Sequence, residues 1–262
     1  MFGNSEKKIC ATIEARMTST RLPGKVMLDI AGKPVIQHII ERLRRSKYLD
    51  EIVVATTTNY EDDVLVKLCE EIGCKYYRGS ENDVLLRVLQ AAQSVSGDII
   101  VEITGDCPFA DWRHVDTLIA KFFSGDYDYV SNTIERTFPD GFDVQVFPTS
   151  VLNEVNTLTS CPVDHEHVSL FIYSNADRYK LLNWYAPSNL NYPDIEVTLD
   201  TKEDYKLIST IYEALYYKDQ DFSADEVVEY LLQNPQLLKI TETITRKNPY
   251  QEKAMRGTEY DR

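Results

Sequence analysis

Nowhere in the 262 residues do apolar side chains run on for the roughly 18 positions that a bilayer-spanning helix requires, so membrane insertion is not expected. The first eight residues lack an apolar segment ahead of a cleavage site, and secretion has no support. Cysteine is sparse: Cys10, Cys69, Cys74, Cys107 and Cys161 are an odd set without paired metal-ligand spacing, and they read as reduced thiols of a cytoplasmic protein. Positive charge is in deficit, with 28 Lys and Arg against 42 Asp and Glu and a formal net charge of −14. A nucleic-acid partner would need a broad basic face, which this balance disfavours. The Gly-rich phosphate loop of the NTPases is missing as well, because Gly24-Lys25 has neither the upstream Gly at the right spacing nor a following Ser or Thr. Internal repeats and low-complexity linkers are absent, and one main domain over residues 1–246 is expected, followed by a polar tail at 247–262.

Against this acidic background one stretch stands apart. Arg16, Arg21 and Lys25 put three cations into ten residues that hold no carboxylate. Thr18, Ser19 and Thr20 add neutral donors, and Gly24 lets backbone N–H groups approach an anion without interference from a Cβ. A solvated basic turn is the competing reading. The stretch follows the apolar β-like run Ile9-Cys10-Ala11-Thr12-Ile13, and loops after the first strand of an open parallel sheet are where nucleotides bind. A polyphosphate is the expected guest.

The remainder of the first half alternates between the two periodicities. Val35, Ile36, Ile39, Ile40 and Leu43 recur at helical spacing, and Ile52 to Ala55 is a short strand. Helices are expected over Asp62 to Ile72, stopped by Gly73, and over Val84 to Ser94, with a strand Lys75 to Arg78 between them. Another strand, Asp98 to Ile103, precedes Thr104-Gly105-Asp106. This β-α-β-α order implies an α/β fold with a mostly parallel central sheet flanked by helices. After a helix Trp112 to Ser124 and a strand Tyr127 to Ser131 the pattern turns irregular. Asp143 to Phe147 alternates, Leu152 to Leu158 and Pro162 to Asn175 look helical, and Tyr179 to Tyr185 and Ile195 to Leu199 look like strands, so a mixed sheet is expected. Helices Lys202 to Tyr217, Ala224 to Gln233 and Pro235 to Lys239 close the chain.

Two carboxylates fall at the ends of expected strands: Asp106 after Ile103 and Asp200 after Leu199. Mg²⁺ prefers oxygen ligands and is bound by one or two carboxylates plus substrate phosphates, so the pair suits a metal–nucleoside triphosphate site. Each also has a plain reading at a helix start, Asp106 as cap of the segment after Pro108, and Asp200 or Thr201 as cap of the helix from Lys202 with Glu203 in its first turn. His165 and His167 lie two residues apart and do not share a helix face, which argues against a helical zinc site. His167 reads equally as an acceptor-site donor or as a core histidine.

The run Ala15-Arg16-x-x-Ser19-x-Arg21-Leu22-Pro23-Gly24-Lys25 resembles the nucleotide loop of cytidylyltransferases that activate acidic sugars such as 3-deoxy-octulosonate and sialic acids. Gly79 to Arg87, Thr104 to Pro108, Pro139 to Phe147, Asp164 to Val168 and Val197 to Tyr205 extend the likeness over nearly the whole chain, closest to the SpsF-like branch named for spore coat polysaccharide biosynthesis. The resemblance implies a Rossmann-like fold of the nucleotide-diphospho-sugar transferase type and transfer of CMP from CTP to an acidic or phosphorylated sugar, with release of pyrophosphate. It further implies that Arg16 and Lys25 hold triphosphate within a loop that includes Ala15, Ser19, Arg21 and Gly24, that Arg87 lies near the nucleotide, and that Asp106 and Asp200 hold Mg²⁺. Asp143, Gln145 and His167 would face the acceptor, and the segment from about 138 to 185 would form a homodimer contact. Gln145 stands where many relatives have Glu, and His165 where they commonly have Arg, which leaves the sugar open. The alternatives are a sugar-1-phosphate nucleotidyltransferase using another NTP, a glycosyltransferase of the same fold, and a catalytically silent nucleotide-binding subunit.

Overall fold

The computed structural model describes residues 7–244, so the expected tail from 247 onward lies outside the described residues. β1 (Ile9–Glu14) leads through a one-turn 3₁₀ helix at Lys25–Met27 into a small hairpin of β2 (Asp29–Ile30) and β3 (Lys33–Pro34), then α1 (Val35–Leu43). β4 (Glu51–Thr57), α2 (Asp63–Ile72), β5 (Lys75–Gly79), α3 (Val84–Ser94) and β6 (Ile99–Thr104) continue the alternation. After α4 (Trp112–Phe122) come β7 (Tyr129–Ser131), β8 (Gln145–Pro148), α5 (Thr149–Leu158), the short α6 (Pro162–Glu166) and α7 (Leu170–Tyr173), and β9 (Leu181–Asn183). α8 (Lys202–Leu215), α9 (Ala224–Gln233) and a 3₁₀ segment at Pro235–Ile240 finish the domain.

The main sheet has the order β5-β4-β1-β6-β8-β7-β9. β5, β4, β1 and β6 are mutually parallel, β8 runs antiparallel to β6 and β7, and β9 is parallel to β7. Successive strand residues face opposite sides, and each side has its own helices. Ile9, Ala11 and Ile13 of β1 join a core with α1, α4, α8 and α9, while Cys10 of β1 and Ile100 of β6 pack with α3 and α5. The strand order reverses between β1 and β6, since β4 and β5 lie on one side of β1 and β6 on the other. In open α/β sheets the crevice beyond the carboxyl ends of the strands at such a reversal is the ligand site. The loop of Arg16 to Lys25 leaves β1 there, and Asp106 leaves β6 there.

Three expectations need correction. Ile195 to Leu199 is not a strand of the sheet; it makes one parallel bridge, Glu196 to Asp140. Its backbone instead pairs with loops: Asp140 N–H donates to Ile195 O at 2.9 Å, Val197 N–H to Asp140 O at 2.8 Å and Leu199 N–H to Asp106 O at 2.8 Å. The alternation of Ile195, Val197 and Leu199 reflects burial of those side chains, which the loop pairing satisfies equally well. Pro162 to Asn175 is two short helices rather than one, broken where Val168 takes a φ of 46°, a left-handed conformation costly for a β-branched residue. The strand at Tyr179 to Tyr185 shrinks to Leu181–Asn183 because β7, the strand it pairs with, offers a ladder of only those three registers. In the segment 138 to 185, Phe138, Phe142 and Phe147 are fully buried in this chain's own core, and the Phe138 ring lies 4.7 Å from that of Trp184.

Candidate active site

The loop after β1 is shaped by its own backbone and by one buried carboxylate. Gly24 has a φ of 72°, the left-handed region open to glycine, and donates its N–H to Met17 O at 2.8 Å, which closes the loop on itself. Asp62 is fully buried and accepts from Met17 N–H at 2.7 Å, from Thr57 N–H at 3.1 Å and from the Thr57 hydroxyl. It therefore ties the loop to the end of β4. Gly105 completes the floor, since a Cβ there would come within 2.5 Å of Glu14 O. Ala15 is buried at the root of the loop and Ser19 is partly exposed on it.

At the mouth of the crevice the three cations meet carboxylates. Lys25 Nζ donates to Asp106 Oδ2 and to Asp200 Oδ1, both at 2.8 Å, and Arg21 pairs with Asp200 Oδ2 at 2.8 Å. Burial alone would lower the Lys25 pKa, but the two carboxylates outweigh it and raise it. Burial likewise would raise the Asp106 carboxyl, and Lys25 beside it holds it below the usual aspartate value. Arg16 turns the other way, donating to Glu81 Oε1 at 3.2 Å, and the same carboxylate takes the Thr18 hydroxyl at 2.5 Å and the Asn59 amide at 2.7 Å. These contacts draw the Glu81 carboxyl below its ordinary range, through Thr18 first and Asn59 next. Glu81 thus occupies the one cation of the loop that Asp106 and Asp200 do not.

The capping readings of the two aspartates do not hold. The N-cap of α8 is Thr201, whose hydroxyl accepts from Asp204 N–H while the Asp204 carboxylate accepts from Thr201 N–H. The N-cap of α4 is Asp111. Asp106 and Asp200 are left facing Lys25, brought together by the bond from Leu199 N–H to Asp106 O. Two carboxylates converging on a point held by an ammonium are an oxygen-only donor set that fits a hard divalent cation, with substrate phosphates completing its shell. Among the described residues no group of three or more His, Cys, Asp or Glu forms a fuller cage.

The other expected site residues fall in three places. Arg87 is buried under the loop at residues 79–83, where its guanidinium donates to Ala55 O, Ser80 O and Glu81 O and braces the segment carrying Glu81. Asp143 receives both ends of the Arg136 guanidinium at 2.9 and 2.8 Å. Beside them burial pushes the Asp140 carboxyl up to about 7, with the Asp143 charge adding to it. Gln145 opens β8 directly opposite Glu102 of β6. His167 ends α6, and His165 reaches away, with Nδ1 2.7 Å from Asp83 Oδ1 and Nε2 2.9 Å from Thr159 O. Burial opposes a charged His165, yet the Asp83 hydrogen bond raises its pKa.

Three further carboxylates shape the site, and two of them, Asp62 and Glu81, carry no signal in the sequence. Asp62 follows Asn59-Tyr60-Glu61 in what looks like an ordinary helix start, and Glu81 sits in a polar loop. Glu102, in the middle of an apolar strand, was the one with a visible signal: a carboxylate inside a run otherwise buried on both faces. It is 4% exposed, and burial pushes its pKa up to about 8. A folded value above the ordinary 4.5 means that the folded state binds this proton more tightly, so the favourable contribution is complete below pH 4.5 and is lost as pH rises through about 8. Glu14 is raised in the same direction, by burial and then by Glu102. The protein is therefore expected to lose thermal stability between about pH 5 and pH 8, and Glu102→Gln to flatten that slope; melting curves across this range check it.

Among the described residues no helix is long and apolar enough to cross a membrane. A cytidylyltransferase family model matches residues 10–224. The chain is 33% identical over 230 residues to the spore coat polysaccharide biosynthesis protein SpsF of Bacillus subtilis, covering 85% of this chain and 93% of that protein. It is 37% identical over 114 residues to the 3-deoxy-manno-octulosonate cytidylyltransferase of Geobacter sulfurreducens, covering 43% and 44% of the two chains. The solved structure of a cytidylyltransferase from Leptospira borgpetersenii superposes with a TM-score of 0.84 at 30% identity, covering 92% of this chain and all of that one. With a basic loop after β1 and two carboxylates across the β1/β6 reversal, the chain belongs to the cytidylyltransferase family and is a nucleotidyltransferase.

Proposed function

We propose that the protein transfers CMP from CTP to an acidic or phosphorylated sugar, releasing pyrophosphate, for the assembly of a surface glycan. The observation that carries this reading is the Lys25 ammonium held 2.8 Å from both Asp106 and Asp200 at the strand-order reversal. A triphosphate entering the crevice competes with those carboxylates for Lys25 and Arg21, and with Glu81 for Arg16. Mg²⁺, held by Asp106 and Asp200, would supply charge neutralisation of the phosphates and so permit both sets of groups to share the site. Lys25 and Arg21 then balance charge on the leaving pyrophosphate, from a loop that the Gly24 N–H bond to Met17 O holds closed. The work of the chain is positioning and electrostatics, with no covalent enzyme intermediate. Pyrophosphate release measured with each of the four NTPs, against 3-deoxy-manno-octulosonate, N-acetylneuraminate and sugar 1-phosphates, tests the reading; release with CTP and a sugar acid is the expected result. Release with UTP or GTP and a sugar 1-phosphate alone would replace it.

The engagement of Arg16 by Glu81 gives a graded expectation. Arg16→Ala should weaken CTP binding by about 1.5–3 kcal/mol, the worth of a charge-assisted hydrogen bond. Glu81→Gln, which frees a half-exposed cation, should tighten CTP binding by no more than about 1 kcal/mol. Titration calorimetry with CTP and Mg²⁺ separates the two directions. A second copy of the chain is the partner assigned to the segment 138 to 185, where Leu158 and Tyr185 remain 43% and 54% exposed. A monomer mass by light scattering at micromolar concentration removes that assignment.

A further inference from the structure

α2 ends on a left-handed turn that puts two cysteines side by side. Gly73 takes a φ of 64° and a ψ of 44°, Cys74 N–H donates to Cys69 O at 2.8 Å, and Gly73 N–H donates to Glu70 O at 3.4 Å. This nested pair of bonds is a common way to close a helix on a glycine, and it brings the side chains of its first and sixth residues together. Apolar residues ordinarily make that contact; here both positions hold a thiol. Cys69 and Cys74 are 1% and 9% exposed, and each sulfur lies within hydrogen-bonding reach of the other. Cys74 Sγ also donates to Lys75 O at 3.4 Å and to Ile52 O at 3.6 Å, which keeps it at the seam between α2 and the sheet. The backbone bond fixes how far apart the pair can be. With 2.8 Å from N to O and standard covalent lengths on either side, the two α-carbons are at most about 6.7 Å apart, within the range of about 4.4–6.8 Å that a disulfide spans.

A surface pocket of about 160 Å³ reaches the pair, with Arg44, Asp50, Gly73 and Cys74 in its wall. It lies at the amino ends of β4 and β5, the opposite edge of the sheet from the reaction crevice. That volume admits several molecules of the size of water, hydrogen peroxide among them. The charges around the turn favour a thiolate. Free carbonyls at a helix C-terminus repel negative charge, but Arg44 donates to Ile72 O and Gly73 O at 2.7 and 3.0 Å and offsets them. The hydrogen bond from Cys74 first, and the Arg44 charge after it, draw the Cys69 thiol below its ordinary 9.0, with burial opposing. Two thiols in contact ionise as a pair, so the proton left after the first ionisation can rest on either sulfur.

We propose that Cys69 and Cys74 form a reversible oxidation site, reduced at rest and closed to a disulfide by hydrogen peroxide, which staples the end of α2 to the start of β5. Cys74 Sγ, at the pocket wall, attacks a peroxide oxygen while the shared proton stays on Cys69. The O–O bond breaks, and the departing hydroxide takes up the proton released when the pair ionised. Cys69 Sγ then attacks the sulfenic acid on Cys74; the S–O bond breaks, the S–S bond forms, and hydroxide leaves with the Cys69 proton as water. Two thiols and one peroxide thus give one disulfide and two waters, the sulfurs losing the two electrons that peroxide gains. A small thiol reverses the step by exchange. The place of the staple gives it an effect, because β5 is an edge strand bonded to β4 alone. Tied to α2 at its start, that edge opens less readily.

The test treats the full-length protein with a small molar excess of hydrogen peroxide, followed by thiol titration under denaturing conditions, intact mass and peptide mapping. The expected result is loss of two of the five free thiols, a mass lower by two hydrogens and a cross-link between Cys69 and Cys74, all reversed by dithiothreitol. The oxidised protein should melt about 2–5 °C higher than the reduced one, as a short loop closed in the unfolded chain implies. Cys161→Ser, which removes the partly exposed cysteine, should still form the cross-link. Cys69→Ala should not, and the sulfenic acid left on Cys74 should be trapped by dimedone. The wild-type readings decide the matter even where Cys69→Ala does not fold. A pair that stays reduced, whatever becomes of Cys161, overturns the proposal and leaves the two thiols as the filling of a helix end. A cross-link between other cysteines, or an oxidised protein that melts below the reduced one, overturns it as well.

Discussion

Lys25→Met is expected to lower the affinity for CTP at least tenfold and, in the absence of divalent metal, to lower the melting temperature. The ammonium is 12% exposed and is the shared partner of two carboxylates that are 28% and 14% exposed. Methionine keeps the length of the side chain and removes the charge, leaving Asp106 and Asp200 facing each other across the crevice. Losing one partner of a buried pair costs about 3–5 kcal/mol, and the partial exposure here reduces that to about 1–3 kcal/mol. Two further readings tie the loss to this triad. Mg²⁺ should restore part of the melting temperature, because a divalent cation takes over the position that the ammonium held between the carboxylates. The acid limb should also move. In the wild type Lys25 holds the Asp106 carboxyl below 3.8, so the pair stabilises the fold above that pH and loses the contribution as pH falls through the lowered folded value. Without the ammonium this acid limb should flatten, so the melting-temperature deficit of Lys25→Met should be largest near neutral pH and shrink as pH falls below 3.8. Melts in chelator and in Mg²⁺ between pH 3 and pH 8 measure all of this, and a variant with unchanged CTP affinity would move the triphosphate away from this loop.

The parallel half of the fold was legible because its signals are local. Val35 to Leu43 carries its helical stripe within nine residues, and β1, β4 and β6 are short, largely apolar runs beside turn signals. Arg16 and Asp106 lie at the sheet edge for the same reason, as charges placed just after such a run, whereas Asp200 follows the loop-paired run Ile195 to Leu199 and is brought there by the Leu199 N–H bond to Asp106 O. The second half was harder to read because its order comes from distant pairing. Ile195 to Leu199 alternates like a strand, yet its hydrogen bonds go to Asp140 and Asp106, more than fifty residues away, and nothing in the local run reveals that. Val168 stops a helix with no glycine or proline to announce it. The same limit hid Glu81 and Asp62, whose roles depend on Thr18, Asn59 and Met17 meeting them across the crevice. Arg87 belongs with them: its guanidinium donates to three backbone carbonyls under the loop.

Asp106→Asn and Asp200→Asn should each reduce Mg²⁺-dependent pyrophosphate release by about a thousandfold or more, a barrier increase of about 4 kcal/mol, while the protein remains folded. A bound triphosphate brings about four negative charges to a crevice already lined by these two aspartates, an arrangement tolerable only with a divalent cation among them. Asparagine keeps the shape and a hydrogen-bond acceptor for Lys25 but supplies a neutral oxygen, so the cation is held less well at the moment when charge moves onto pyrophosphate. Stability should change little, because neither residue caps a helix: Thr201 and Asp204 close the start of α8, and Asp111 caps α4. Asp111 provides the contrast. It is 1% exposed and accepts from Arg113 N–H at 2.9 Å and Ala224 N–H at 2.8 Å. Asp111→Ala should therefore melt several degrees lower and still turn over at a temperature where it is folded. If either asparagine variant at the sheet edge behaved like Asp111→Ala, unstable but active, that aspartate would be a structural residue and the metal would have to be held by the phosphates and the other carboxylate alone.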